Sequence, residues 1–255
     1  MAQIHFIDGE KGGVGKSLFA RTMVQYCLDK NIPFHLVEAD GSNPDVGEFY
    51  PDVCQQATFS EDEKKSYDVD IIFELALSKP VIVNLPAQVY PVVTNWIRRN
   101  GLLESEIIKE HKLKIYKWFV CTGGHDSVQL FIKSAEEFQG KVQHIFVRNN
   151  GLSDEWKHLD DHEGLNGLLN GQKIPIVDFP RFSYKERNLI DQKRITFASA
   201  TAKENQEFPI LSKQRITNYL RDAYAAIEET KFLVQDKSKA NSKGHEHGGE
   251  QHSAA

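Results

Sequence analysis

Six residues near the start of the chain, Gly12-Gly13-Val14-Gly15-Lys16-Ser17, combine the parts needed to hold a polyphosphate. Glycines let backbone N–H groups turn inward around a phosphate, and the N-terminus of a following helix adds its dipole. Lys16 offers a point charge to the β and γ oxygens, and the Ser17 hydroxyl can ligate Mg²⁺. The plain alternative is a glycine-rich turn between a strand and a helix. The Lys-Ser pair, in register with an apolar helix after Leu18, argues against it. Two features depart from the usual G-x-x-x-x-G-K-[ST] pattern. Glu10 stands where the first glycine is expected, and a second lysine, Lys11, precedes the glycines.

A pair of carboxylates follows in "VEADGSNPD". Glu38 and Asp40 are two apart, so on a strand they point to the same side. At the carboxyl edge of a parallel sheet that side meets ligands. An Asp-Gly turn is the plainer reading of the same residues.

These groups need a scaffold, and the chain alternates short apolar runs with helical patterns. The runs are "IHFI" (4–7), "FHLVEA" (34–39), "PVIVNL" (80–85), "IYKWFVC" (115–121), "VQHIFV" (142–147) and "IPIVDF" (174–179). Near-continuous apolar runs suit strands buried on both faces. Helices are predicted over 17–30, where Phe19, Ala20, Met23, Val24, Cys27 and Leu28 share a face, and over about 212–231. Asp126 with Gln129, and Ser183 with Glu186, read as capping boxes opening two more. The fold class is therefore α/β: a doubly wound, mostly parallel sheet flanked by helices.

The stretch "KGGVGKS" is identified as the deviant Walker A motif and resembles the ParA/MinD superfamily of P-loop ATPases. The resemblance implies a P-loop NTPase fold, ATP and Mg²⁺ as cofactors, and weak, partner-stimulated ATP hydrolysis. It also implies a homodimer that sandwiches two ATP molecules, Lys16 serving its own nucleotide and Lys11 the neighbour's. Glu10, Lys11, Gly12, Gly13, Val14, Gly15, Lys16, Ser17 and Leu18 then become nucleotide contacts. Asp40 matches the carboxylate that orients the attacking water, which makes Lys11, Lys16 and Asp40 the candidate catalytic set. "PVIVNLPAQ" is similar to the family's Walker B and switch II segment, with Pro86 present but Asn84 in place of the aspartate. A neutral amide can bond a metal-bound water but adds no charge, so the metal candidates are Ser17, Asp40 and Asn84. "FVRNNG" (146–151) and "DFPRFSYKE" (178–186) follow the late strands, where the family builds its adenine pocket. Asn149, Asn150 and Pro180 are the candidate base contacts, with turn roles as the alternative. A narrower resemblance is to ParA-like proteins encoded with plasmid transfer and stability functions.

Composition bounds the rest. The 255 residues are 40% hydrophobic and 26% charged, as in ordinary globular proteins, and the net charge of −5 excludes an overall basic coat. Cys27, Cys54 and Cys121 lack metal-ligand spacing and predict a reduced, cytosolic setting. No signal peptide is visible, and no apolar run approaches the ~20 residues of a spanning helix. The expected organisation is a P-loop ATPase domain over 1–234 and a disordered polar tail over 235–255. The tail holds His245, His247 and His252, which could bind a metal loosely.

Between 181 and 221, nine cations (Arg181, Lys185, Arg187, Lys193, Arg194, Lys203, Lys213, Arg215, Arg221) face four anions (Glu186, Asp191, Glu204, Glu207). This stretch is the candidate for nonspecific DNA binding, a solvated face being its plain alternative. A polar tail gives no membrane attachment. The expected cargo is plasmid DNA or a transfer complex, together with an unidentified partner protein. The alternatives are a nucleotide-gated scaffold with little hydrolysis, or a small-molecule ligase or kinase of the same fold.

Overall fold

The computed structural model describes residues 1–9, 11–62 and 64–233; Glu10, Val234 and the predicted tail lie outside the described residues. Seven strands form one all-parallel sheet: β1 (Gln3–Asp8), β2 (His35–Glu38), β3 (Cys54–Gln56), β4 (Val81–Asn84), β5 (Lys114–Cys121), β6 (Gln143–Asn149) and β7 (Ile176–Phe179). Their spatial order is β3-β2-β4-β1-β5-β6-β7. The six predicted strands are present; β3, a three-residue edge strand paired only with β2, is additional.

The helices are α1 (Lys16–Asp29), α2 (Asp45–Phe49), α3 (Ile71–Ala76), α4 (Tyr90–Arg99), α5 (Ser105–His111), α6 (His125–Phe138), α7 (Glu163–Gly171), α8 (Tyr184–Lys193), α9 (Phe197–Thr201) and α10 (Ile210–Glu229). Side chains alternate across each strand, so β1 feeds two cores. Ile7 packs with Phe19 and Met23 of α1 and Ile216 of α10. Ile4 and Phe6 pack with Ile72 of α3 and Trp96 of α4. Full burial of a side chain such as Phe6 contributes about 1.5–3 kcal/mol. A third cluster joins Phe119 and Phe146 to Phe131 of α6 and Leu165 of α7. Such burial on both faces accounts for the apolar runs in the sequence.

With β1 central, the loops that leave β1, β2 and β4 meet at the carboxyl edge of the sheet. There Ile7 is in register with Asn84, and Asn84 with Glu38. This edge places the phosphate loop beside both carboxylates.

Candidate functional site

The loop between β1 and α1 is shaped by backbone demands. Gly15 caps α1 in the left-handed region at φ 100°, and a Cβ there would lie 2.4 Å from Asn149 Nδ2, so only glycine fits. The first turn of α1 carries no acidic residue, which leaves its N–H groups and dipole to an anion. Lys16 is buried, and its Nζ donates to the carbonyls of Gly9 at 2.9 Å and Lys11 at 3.2 Å. Gly12, Gly13, Gly15, Lys16, Ser17 and Leu18 line one wall of a cleft of about 270 Å³, which is also lined by Asp40 and Ala87.

On the opposite wall, Asp40 is partly buried and closes an Asx turn, accepting from Ser42 Oγ at 2.7 Å and Asn43 N at 3.0 Å. Glu38 behaves differently. It is fully buried and accepts four N–H bonds: Asn84 Nδ2 at 2.8 Å, Asp40 N at 3.1 Å, Val46 N at 2.9 Å and Gly47 N at 3.2 Å. Burial pushes its carboxyl above the ordinary value, and the four donors pull against that shift. Glu38 therefore holds the N-terminus of α2 and the backbone of Asp40 together. The Asn84 amide is split between two environments. Its Nδ2 is committed to Glu38, while its Oδ1 is buried without a protein partner. An orphaned acceptor at this edge is the position for a donor such as a metal-bound water.

Mg²⁺ commonly binds through one or two protein ligands, waters and substrate phosphates, not through an all-protein cage. Ser17, Asp40 and the Asn84 Oδ1 acceptor fit that demand. Among the described residues no cluster of three His, Cys, Asp or Glu forms a cage of its own.

Lys11 is half exposed and pairs with Asp126 at 2.5 Å. The hydrogen bond and charge of Lys11 lower the Asp126 carboxyl below its usual value. This pairing corrects the expected capping box at α6. Gly124 is the N-cap, and the Asp126 side chain turns to the phosphate loop instead of its own helix. Ser183 does cap α8, but its hydroxyl bonds the Glu186 carboxylate and not a backbone N–H.

The later candidates are engaged locally. Asn149 is buried, donates to Val14 O at 2.8 Å and accepts from Gly151 N at 3.0 Å, so it braces the phosphate loop. Asn150 accepts from Trp156 Nε1 at 2.8 Å, and Pro180 directly follows β7, half-buried.

Comparison with known proteins follows this geometry. No family model matches the chain. It is 27% identical over 229 residues to Protein MobD of Acidithiobacillus ferrooxidans, covering 88% of this chain and 96% of MobD. It is 26% identical over 252 residues to Protein TraL of Escherichia coli, covering 91% of this chain and 100% of TraL. Among solved structures it is similar to the MinC:MinD cell division protein complex of Aquifex aeolicus, with TM-score 0.48 and 14% identity over 86% of this chain and 94% of that one.

The basic stretch is partly compensated by ion pairs. Lys193 pairs with Glu207 at 2.8 Å, Arg194 with Glu48 at 2.7 Å and Arg221 with Asp222 at 2.9 Å. Arg215 bonds the buried Glu186 carboxylate at 2.6 Å. Burial alone would raise Glu186, but the hydrogen bonds from Arg215, Ser183 and Ser212 outweigh it and hold it near 2. Arg215 is thus part of the fold, and Arg181, Lys185 and Lys203 are the exposed cations of the stretch for which no ion pair is found among the described residues. Sequence reasoning missed Arg21 and read Arg187 and Asp191 only as charges of the basic stretch, whereas all three line the cleft. Arg21 is buried over the Phe49 ring at 4.1 Å and donates to Asp191 at 2.8 Å. An arginine inside an otherwise apolar helix face was the readable signal.

Proposed function

We propose that this protein is an ATPase that binds Mg-ATP, dimerises around it and hydrolyses it slowly to position or load a cargo. The cargo lies in plasmid partition, stability or conjugative transfer, in keeping with the resemblance and with near-full-length similarity to MobD and TraL. One observation carries the reading: the glycine cradle, Lys16 and Ser17 share a cleft with Asp40 at the carboxyl edge of a parallel sheet. In that cleft the loop amides and Lys16 would hold the phosphates. Bound Mg²⁺ would neutralise phosphate charge, held by Ser17 with Asp40 and Asn84 through waters. Asp40 would orient the attacking water. Lys11 would leave Asp126 to reach the nucleotide of a second chain. Val14 and Leu18 complete the loop, and the base would lie toward Asn149 and Pro180. The medium is cytoplasmic. The reading assigns residues 1–234 to the ATPase and keeps 235–255 as a tail.

A second reading, a nucleotide-gated scaffold with little or no turnover, is favoured by the Glu38–Asn84 bond. That bond leaves Asp40 as the accessible carboxylate of the three positions. Nonspecific DNA contact, if made, rests on Arg181, Lys185 and Lys203 and weakens steeply with salt.

Asp40→Ala separates the readings. For an ATPase it traps an ATP-bound dimer, measured by light scattering, and abolishes phosphate release. If parent and variant release phosphate equally slowly, with or without DNA, the scaffold reading stands.

A further inference from the structure

Behind the phosphate loop lies a polar network with no place in the scheme above. Asp8, the last residue of β1, is 1% exposed, and Lys117 of β5, also 1% exposed, sits with Nζ 2.8 Å from Asp8 Oδ2. Lys117 donates to Ser134 Oγ of α6 at 2.9 Å, and Ser134 meets His144 Nε2 of β6 at 3.0 Å. The other ring nitrogen of His144 faces Val142 O at 3.1 Å. Burial, with help from Lys117, holds His144 down to about 3, so the ring is neutral and accepts from the serine. Lys117 is then the cation of this network and Asp8 its anion. The rings of Tyr90 and Phe138 flank the ammonium at 5.0 and 5.5 Å.

A buried ion pair is weak evidence of stability, because desolvation offsets its attraction. Its other contacts point to a different task. Asp8 Oδ1 accepts the N–H of Gly9 at 2.7 Å, and the carbonyl of the same Gly9 accepts Lys16 Nζ at 2.9 Å. A Cβ at Gly9 would lie 2.7 Å from Val14 Cγ2 and 2.8 Å from Val120 O, so the residue is wedged between the loop and β5. Both peptide groups of Gly9 are thereby oriented, one by Asp8 and one by the lysine that meets phosphate.

We propose that Asp8, held by Lys117, is a positioning residue for the phosphate loop: its carboxylate fixes the Gly9 peptide and so aims Lys16 at the polyphosphate. The proposal rests on the nucleotide-binding reading of the same site. Lys117 anchors the carboxylate from β5, and Ser134 and His144 in turn fix the ammonium.

The test compares two double variants in the full chain. Asp8→Leu/Lys117→Met removes charge and acceptor together, and a well-packed apolar pair at a buried ion-pair site is commonly neutral in stability. Asp8→Asn/Lys117→Met removes the charges but keeps an oxygen for the Gly9 N–H. Thermal melts establish folding, and calorimetry with Mg-ATP reads affinity. The leucine variant should melt like the parent and bind at least about tenfold more weakly, the loss of one charge-assisted hydrogen bond's worth of positioning. The asparagine variant should stay within about threefold of the parent. Should the leucine variant not fold, Asp8→Ala in the Lys117→Met background serves as the acceptor-free form. Equal binding by both doubles and the parent overturns the proposal and leaves the pair a core contact. Equal loss in both doubles overturns it too, because the acceptor would not be what matters. A parent that binds no Mg-ATP removes the nucleotide reading itself, a signal distinct from either.

Discussion

On the phosphate wall of the cleft, Gly15, Lys16 and Ser17 face the cavity on a loop whose backbone is braced by Asn149 and Asp8. On the proposed metal wall, Glu38 and Asn84 face each other, and of the pair Glu38 and Asp40 it is Asp40 that lines the cavity. The first wall is built for anion binding from backbone donors and one cation. The second commits the Glu38 carboxylate to structure and sets the Asn84 amide beside it. On the proposed function, affinity and turnover are specified by different residues, and each can be altered with the other kept.

The largest effect should come from the phosphate wall. Lys16→Ala should weaken Mg-ATP binding by at least about 100-fold, because a charge-assisted contact from a buried lysine is lost. Lys11→Ala, which removes only a half-exposed pair with Asp126, should keep monomer affinity within about threefold and lose ATP-dependent dimerisation. Calorimetry and analytical ultracentrifugation check the two. Equal loss of monomer binding in both would erase the division between the lysines.

A middle effect belongs to the metal wall. Asn84→Asp looks like the repair of a missing aspartate, but it removes the donor at 2.8 Å from Glu38 and sets two buried carboxylates against each other. The variant should lose about 2–4 kcal/mol of stability in urea unfolding. Adding Glu38→Gln should recover part of it. If Asn84→Asp is as stable as the parent and hydrolyses faster, the Glu38–Asn84 bond is dispensable and the two walls differ less than their contacts indicate.

The smallest effect near neutrality separates the cleft from the core. His5 and His144 are both buried and held down to about 3, while unfolded histidines titrate near 6.5. A depressed histidine contributes stability above the unfolded value and loses it as pH falls, because only the unfolded chain takes up the proton. Between about pH 6 and 4 the two together should cost up to about 2.7 kcal/mol per pH unit. His144→Gln should reduce that slope by the share of one group. Nucleotide affinity at pH 6 should hold, because both rings stay neutral in the folded chain.

Much of the fold was legible. Six strands announce themselves because both faces of a parallel sheet are buried, so their residues are apolar almost without interruption. The edge strand β3 was not legible: Cys54-Gln55-Gln56 is short and polar, and it pairs on one side only. Lys117 was visible as a lone charge in "IYKWFVC", yet its polar partners come from β1 and α6. The charge count of the basic stretch was incomplete for a related reason. Counting charges between 181 and 221 cannot see Glu48, which neutralises Arg194 from α2.

The phosphate loop was readable in the sequence alone because its chemistry is contiguous. Successive backbone N–H groups, the glycines that permit their turn and the lysine beside them occupy one short run, so spacing is geometry there. Sequence likewise carried the helix that follows, through the periodicity of its buried face. The meaning of Glu38, Asn84 and Lys11 was decided by tertiary structure. Glu38 and Asn84 are 46 residues apart, and Lys11 and Asp126 are 115 apart. A buried hydrogen bond or ion pair depends on which groups the fold brings within 3 Å and out of water, and no local spacing records that.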